Sequence, residues 1–202
     1  MAQAPITDAE LIARVVVKDD RHAFSELVRR YQSTVRATLR RLTAGNDALA
    51  DDLAQETFLL AYRNLRSFRQ EARLSTWLYR IATNAFLADA RKRKEELLGD
   101  DDVSVPEPDD EAETSTHEAN TGDMTRTANL KIDMTRALAV LSEGERAAIV
   151  QCYHNDLSHE EAAYVLNCPV GTVKTHILRA KEKLRARLAS WGPNGSSAGA
   201  MS

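Results

Sequence analysis

The chain has 202 residues, 43% of them apolar and 28% charged, which suits one or two ordinary globular cores and excludes collagenous and disulfide-scaffold proteins. Its two cysteines, Cys152 and Cys168, are too few for a secreted framework. No apolar run approaches the roughly 20 residues that span a bilayer, and Met1 to Pro5 shows no secretion signal, so a cytoplasmic protein with no membrane insertion is expected.

Thr7 and Glu10 form a capping box that opens a helix, and Leu11, Val15, Phe24, Leu27, Val28, Tyr31 and Val35 recur at helical spacing. Gly45-Asn46-Asp47 breaks the pattern and starts another helix with an apolar stripe of Leu49, Leu53, Leu60 and Ala61. After the polar break near Arg69 to Arg73, a third helix is expected from about Ser75 to Lys94. Residues 96–125 then hold eleven acidic residues and no Lys or Arg. With Gly99, Pro106 and Pro108 and few large apolar side chains, this composition predicts a flexible linker over 96–130. Without the acidic stretch, 27 basic residues face 19 acidic ones, so the net charge of -3 hides a body of about +8 and points to a nucleic-acid partner.

Beyond the linker, Ile132 to Leu141 and Glu143 to Tyr153 read as helices. Ser158 and Glu161 form a second capping box before the short helix His159 to Leu166. Asn167-Cys168 makes a tight turn, and Pro169 takes the first position of a last helix running to about Leu188. A short helix, a tight turn and a longer basic helix constitute a helix-turn-helix. No window alternates like a strand, so the expected fold is all-α. Helical domains at 1–95 and 131–190, the second a helix-turn-helix, are joined by the flexible acidic linker, and 191–202 form a disordered tail.

Three surfaces carry chemistry. In the last helix, Val170, Val173, Ile177, Ala180 and Leu184 would pack inward, turning Lys174, Thr175, Leu178, Arg179 and Lys181 toward a major groove, where they suit base edges and phosphates. Arg91-Lys92-Arg93-Lys94 closes the third helix. Six of the eleven aromatic residues, Phe58, Tyr62, Phe68, Trp77, Tyr79 and Phe86, lie nearby in sequence, the mixture of rings and cations that holds single-stranded DNA, although core packing accounts for most of them. Asp52, Gln55, Glu56, Leu59 and Tyr62 fall on one side of the second predicted helix. That acidic, amide and aromatic stripe is a poor DNA surface and fits a basic protein partner. No phosphate loop, HExxH or nucleophile elbow is present, so neither an enzyme nor a cofactor is expected. The spacing of Cys152, His154, His159 and Cys168 matches no zinc pattern, and both cysteines are expected to be buried structural thiols.

The segments Asp51-Asp52-Leu53-Ala54-Gln55-Glu56-Thr57-Phe58, Leu74-Ser75-Thr76-Trp77-Leu78-Tyr79-Arg80-Ile81-Ala82-Thr83-Asn84, and Cys168-Pro169-Val170-Gly171-Thr172-Val173-Lys174 through Arg179-Ala180-Lys181 together resemble bacterial sigma factors of the extracytoplasmic-function group. The resemblance implies a protein that binds core RNA polymerase, directs it to promoters of a stress or envelope-response regulon and helps melt the minus-ten region. It implies that Asp52, Gln55, Glu56, Phe58 and Tyr62 grip the polymerase clamp. Trp77, Asn84, Arg91 and Arg93 would lie along the minus-ten element, and Lys174, Thr175, Leu178, Arg179 and Lys181 along the minus-thirty-five element. An anti-sigma factor is an implied partner, and the linker would thread polymerase channels near the RNA exit path. Two positions depart from the family pattern: Ala88 stands where Asp is frequent, with Asp89 next to it, and Ser142 stands where Pro is frequent. The alternative is a stand-alone helix-turn-helix regulator that binds duplex DNA as a dimer.

Overall fold

Capping residues set where the helices begin. In a computed structural model that describes residues 6–99 and 134–189, α1 (Asp8–Lys18) opens on the capping box, with the Thr7 N–H donating to the Glu10 carboxylate at 2.7 Å. It ends at Asp19, whose left-handed φ of 51° an Asp side chain tolerates. Asp20 caps α2 (Arg21–Leu42) at once by accepting the Ala23 N–H, and Arg14 holds that carboxylate at 2.7 Å. The apolar pattern from Leu11 to Val35 is therefore carried by two helices meeting at an Asp-Asp corner. Gly45, at φ 85°, leads to Asn46, which caps α3 (Asp47–Asn64) through the Leu49 N–H. A short 3-10 turn over Leu65–Ser67 precedes α4 (Leu74–Gly99).

Two expectations change in this half. The residues of α3 that are fully buried are Ala50, Leu53, Ala54, Thr57 and Ala61, while Leu49 and Leu60 are only half-buried. Small side chains let α2 and α4 approach α3 closely, and Thr57 returns its hydroxyl to the Leu53 carbonyl at 2.6 Å. In addition, α4 continues five residues past Lys94, so residues 96–99 are helical rather than linker. Lys92 and Glu96 pair one turn apart across that extension. The rest of the expected linker, and the expected tail, lie outside the described residues.

Residues 134–139 form a short helix, α5, followed by α6 (Glu143–Tyr153), α7 (His159–Leu166) and α8 (Val170–Ala189). Both α6 and α7 open on capping boxes, Ser142 with Glu145 and Ser158 with Glu161. The first of these sits where Pro is frequent in the family pattern. Asn167 ends α7 at φ 50°. Pro169 falls one residue earlier than expected: it precedes α8, and its carbonyl accepts the Val173 N–H at 3.2 Å. Its fixed φ and missing N–H cost little in that position too.

The N-terminal core is built from Leu11, Leu27, Val35, Leu39, Leu42, Leu53 and Phe86, among others, and it also takes in Ala147 and Val150 of α6. The two halves thus share a core: α4 packs on α6 and α7, and α2 on α6. The seam between them is polar. Thr38 donates to Asn155 Oδ1 at 2.9 Å, Asn155 Nδ2 to Gln151 Oε1 at 2.8 Å, and Gln151 Nε2 to Thr83 Oγ1 at 2.9 Å. Arg146 Nη1 donates to the Leu42 carbonyl at 2.8 Å. Gln151 and Thr83 are fully buried, so this relay satisfies groups that would otherwise be costly to bury. Among the described residues no strand occurs, and no helix is long and apolar enough to cross a membrane.

Candidate nucleic-acid interface

Three surfaces emerge on separate helices. On the first, α2 and α3 frame an open cleft of about 520 Å³ lined by Phe24, Val28, Gln55, Phe58, Leu59 and Tyr62. Asp52, Gln55 and Glu56 are exposed beside it, and Leu59 is 61% exposed. Tyr62 packs edge-on against Phe24 with centroids 4.8 Å apart and donates its hydroxyl to Asp19 at 2.5 Å, which raises the phenol above its ordinary pKa. Arg21 and Arg36 also line the cleft, so its apolar floor carries charge of both signs at its margin, a chemistry suited to the amphipathic face of a helix. All five residues expected to bind the polymerase lie on this one side of α3.

A second cavity, of about 410 Å³, lies between the 3-10 turn, the loop after it and α4. Phe68, Trp77, Arg80, Ile81 and Asn84 form its wall, with the Phe68 and Trp77 rings 5.1 Å apart. Trp77 is only 8% exposed, so it offers an edge, while Asn84 is exposed at the rim. Arg91 lies two turns beyond Asn84 on the same side of α4. Arg93 lies on the opposite side, where it donates to Asp89 at 2.8 Å. The structure therefore brings Trp77 and Asn84 together in one cavity, sets Arg91 further along the same side of α4 and leaves Arg93 on the other side. Arg80 was not singled out from the sequence; its position three residues after Trp77 and four before Asn84 was the available signal. Nothing local pointed to Tyr164, which reaches this cavity from α7.

The third surface is α8. Val173, Ile177 and Ala180 are buried, Val170 and Leu184 are half-buried, and Lys174, Thr175, Leu178, Arg179 and Lys181 are exposed, as the helical period requires. Thr175 donates its hydroxyl to the Gly171 carbonyl at 2.9 Å, which leaves its methyl group and lone pairs facing outward. Leu178 is 59% exposed, a position that favours contact with a thymine methyl. Lys181 differs from the others, because its ammonium lies 5.0 Å from the centre of the Tyr153 ring. Glu145, 4% exposed at the start of α6, anchors the far part of α8 by accepting Lys183 Nζ at 2.7 Å. Burial opposes its ionisation, but Lys183 and Ser142 together hold the carboxyl below its ordinary value.

Cys152 and Cys168 are free and half-buried rather than fully enclosed, packed against the cluster of Ala148, Ala162, Val173 and Ile177. Burial raises both thiols and suppresses the reactive thiolate. Among the described residues no group of three or more His, Cys, Asp or Glu side chains is placed to hold a metal ion.

A helix-turn-helix with an exposed basic face, packed on a helical module, defines a DNA-binding protein of the transcription-factor class. Residues 27–96 match the sigma-70 region 2 family, and residues 131–184 match sigma-70 region 4. The chain is 35% identical over 192 residues to the extracytoplasmic-function RNA polymerase sigma-E factor of Haemophilus influenzae, covering 91% of this chain and 96% of that one. It is 35% identical over 183 residues to the sigma-E factor of Escherichia coli K12, covering 89% and 93%. Among solved structures it resembles the sigma factor RpoE of Bartonella quintana, crystallised with the anti-sigma factor NepR, at 29% identity and a TM-score of 0.63 over 86% of this chain and 98% of that one. It also resembles CnrH, solved with the cytosolic domain of CnrY, at 26% identity and a TM-score of 0.62 over 91% and 97%. The chain belongs to the extracytoplasmic-function sigma factors. It is a factor that directs RNA polymerase to promoters, and the stand-alone regulator reading is not favoured.

Proposed function

We propose that the three surfaces divide promoter recognition among them. Asp52, Gln55, Glu56, Phe58 and Tyr62 form the grip on the polymerase clamp, with the α2–α3 cleft receiving apolar side chains of a helix. Trp77, Asn84 and Arg91 receive the melted minus-ten strand, where stacking and hydrogen bonds offset the few kcal/mol needed to unstack a base. Arg93 contacts the strand's phosphates only after leaving Asp89. Lys174, Thr175, Leu178 and Arg179 read the minus-thirty-five duplex, and Lys181 supports that contact beside Tyr153. The module boundaries follow the family, with the first ending near residue 99 and the second beginning near 131.

The observation that carries this division is the difference between the two DNA surfaces: one is a pocket of rings with an amide, the other an open basic helix face. The first suits extruded bases and the second an intact groove. The chain acts in the cytoplasm without catalysis or cofactor, as a non-enzymatic initiation factor for a stress or envelope regulon. Regulation by an anti-sigma factor is supported by the likeness to RpoE and CnrH, each solved with such a partner or its cytosolic domain. The test is reconstitution: purified chain added to sigma-free core polymerase gives start-site-specific transcription from a subset of genomic templates. Failure on every template would overturn the assignment.

A further inference from the structure

Gly45 and Gly144 are glycines for reasons inside the fold. Gly45 sits at φ 85°, in the left-handed region. A Cβ on Gly144, in the first turn of α6, would lie 3.0 Å from His176 Cε1, so the imidazole of α8 lies against α6 only because nothing projects there. Gly171, in the first turn of α8, has no such reason. Its φ is not in the left-handed region, it is exposed, and a Cβ built on it would meet no heavy atom within 4 Å. Glycine at a helical position is unfavourable relative to alanine, because its unfolded chain has more freedom to lose. The fold alone would therefore be firmer with a methyl group at 171.

Gly171 stands three, four and seven residues before Lys174, Thr175 and Leu178, at the head of the exposed side of α8. Side chains on a helix lean toward its N-terminus, so the residues one turn further on are the ones able to cover it. Thr175 is short and returns its hydroxyl to the Gly171 carbonyl at 2.9 Å, which keeps the surface there low. A helix with its side chains is about 10–12 Å across and the major groove of B-DNA about 12 Å wide, so the depth to which a helix sinks depends on how little projects from its leading turn. We propose that Gly171 is a specificity-determining position of this chain: it lets the backbone of α8 come into van der Waals contact with the minus-thirty-five duplex, and so sets the depth from which Lys174 and Thr175 reach base edges. The inference rests on the assignment of α8 to that element. A methyl group at 171 props the leading turn outward and lengthens the base-edge hydrogen bonds, whereas long flexible side chains on phosphates adjust to the shift.

Gly171→Ala tests this, because stability and recognition are expected to move in opposite directions. In the free full chain, the melting temperature followed by circular dichroism should rise by about 1–4 °C as a helical glycine gives way to alanine. The second measurement uses holoenzyme reconstituted with core polymerase and a promoter found by reconstitution. Its affinity for that promoter, divided by its affinity for the same promoter with the minus-thirty-five element scrambled, should fall about tenfold, the scale of one lost base contact. Gly171→Leu, a good helix former with a longer side chain, should lower the ratio further. An unchanged ratio in both variants overturns the proposal. So does a lower melting temperature for Gly171→Ala, which would mean that the space above Gly171 is not open. Arg179→Ala, measured alongside, tells two failures apart. If it lowers the ratio while the Gly171 variants do not, α8 reads the element without close approach at 171; if none of the three changes it, the assignment of α8 to that element falls as well.

Discussion

Replacing Glu145 removes the tie between the start of α6 and the far part of α8. Its Oε2 accepts both the Ser142 N–H, at 3.0 Å, and Lys183 Nζ, at 2.7 Å. In Glu145→Gln the amide oxygen can keep the Ser142 N–H, and Lys183, whose side chain is 46% exposed, turns to solvent. That change costs about 1 kcal/mol, the difference between a charged and a neutral hydrogen bond. Glu145→Ala loses the capping interaction as well and leaves the Ser142 N–H without its partner, for about 2–3 kcal/mol in total. In a chain of this length the alanine variant should melt roughly 4–10 °C lower, followed by circular dichroism at 222 nm. The acid side gives an independent check. Because the folded carboxyl is held below its ordinary value of 4.5, its contribution is full above that pH and is lost as pH falls through the lower folded value. The unchanged chain should therefore lose stability more steeply than Glu145→Gln below about pH 4.5. A cost under about 0.5 kcal/mol for Glu145→Ala would refute the idea that this carboxylate anchors the recognition helix.

Gly45→Ala should cost about 1–3 kcal/mol, because φ is 85° and an added Cβ would lie 2.6 Å from Thr135 Cγ2; chemical denaturation measures it. His154 is held neutral by burial and by Arg41, so the fold keeps its contribution above the unfolded value near 6.5 and loses it as pH falls from there through the lower folded value; His154→Gln should flatten melting temperature over that window. Arg179→Ala should weaken use of the minus-thirty-five element by about 1–3 kcal/mol in promoter-binding assays with holoenzyme, with little change in melting temperature. Glu56→Lys, on the exposed margin of the α2–α3 cleft, should slow association with core polymerase and alter its salt dependence, read by surface plasmon resonance.

Local chemistry in the sequence was enough to place most elements. The capping boxes at Thr7 and Ser158 and the Gly45-Asn46 break mark helix starts because their hydrogen bonds span only a few residues. The burial pattern of α8 follows directly from its period. Local pattern could not divide the apolar run between Leu11 and Val35, since Asp19 and Asp20 look like two ordinary surface acids until one adopts a left-handed backbone and the other caps. Nor could it rank the stripe of α3, where Ala50, Ala54 and Thr57 are buried ahead of Leu49 because helix proximity, not side-chain size, decides there. Arg80 and Tyr164 were illegible for a stronger reason: they meet across 84 positions of sequence. The resemblance puts Arg93 beside Arg91 along the minus-ten element, whereas the helical phase of α4 sets it across from Asn84.

The seam between the halves sets the polar groups of Gln151, Thr83, Thr38 and Asn155 beside Ala147 and Val150, which join the apolar core of Leu39, Leu42 and Phe86. Amides and hydroxyls bond only in particular directions, whereas apolar side chains can slide past one another, so the polar part fixes the register and the apolar part supplies the burial. Filling the seam with leucines would bury more apolar surface but erase the relay, and the two halves could then pack in several near-equivalent ways instead of one.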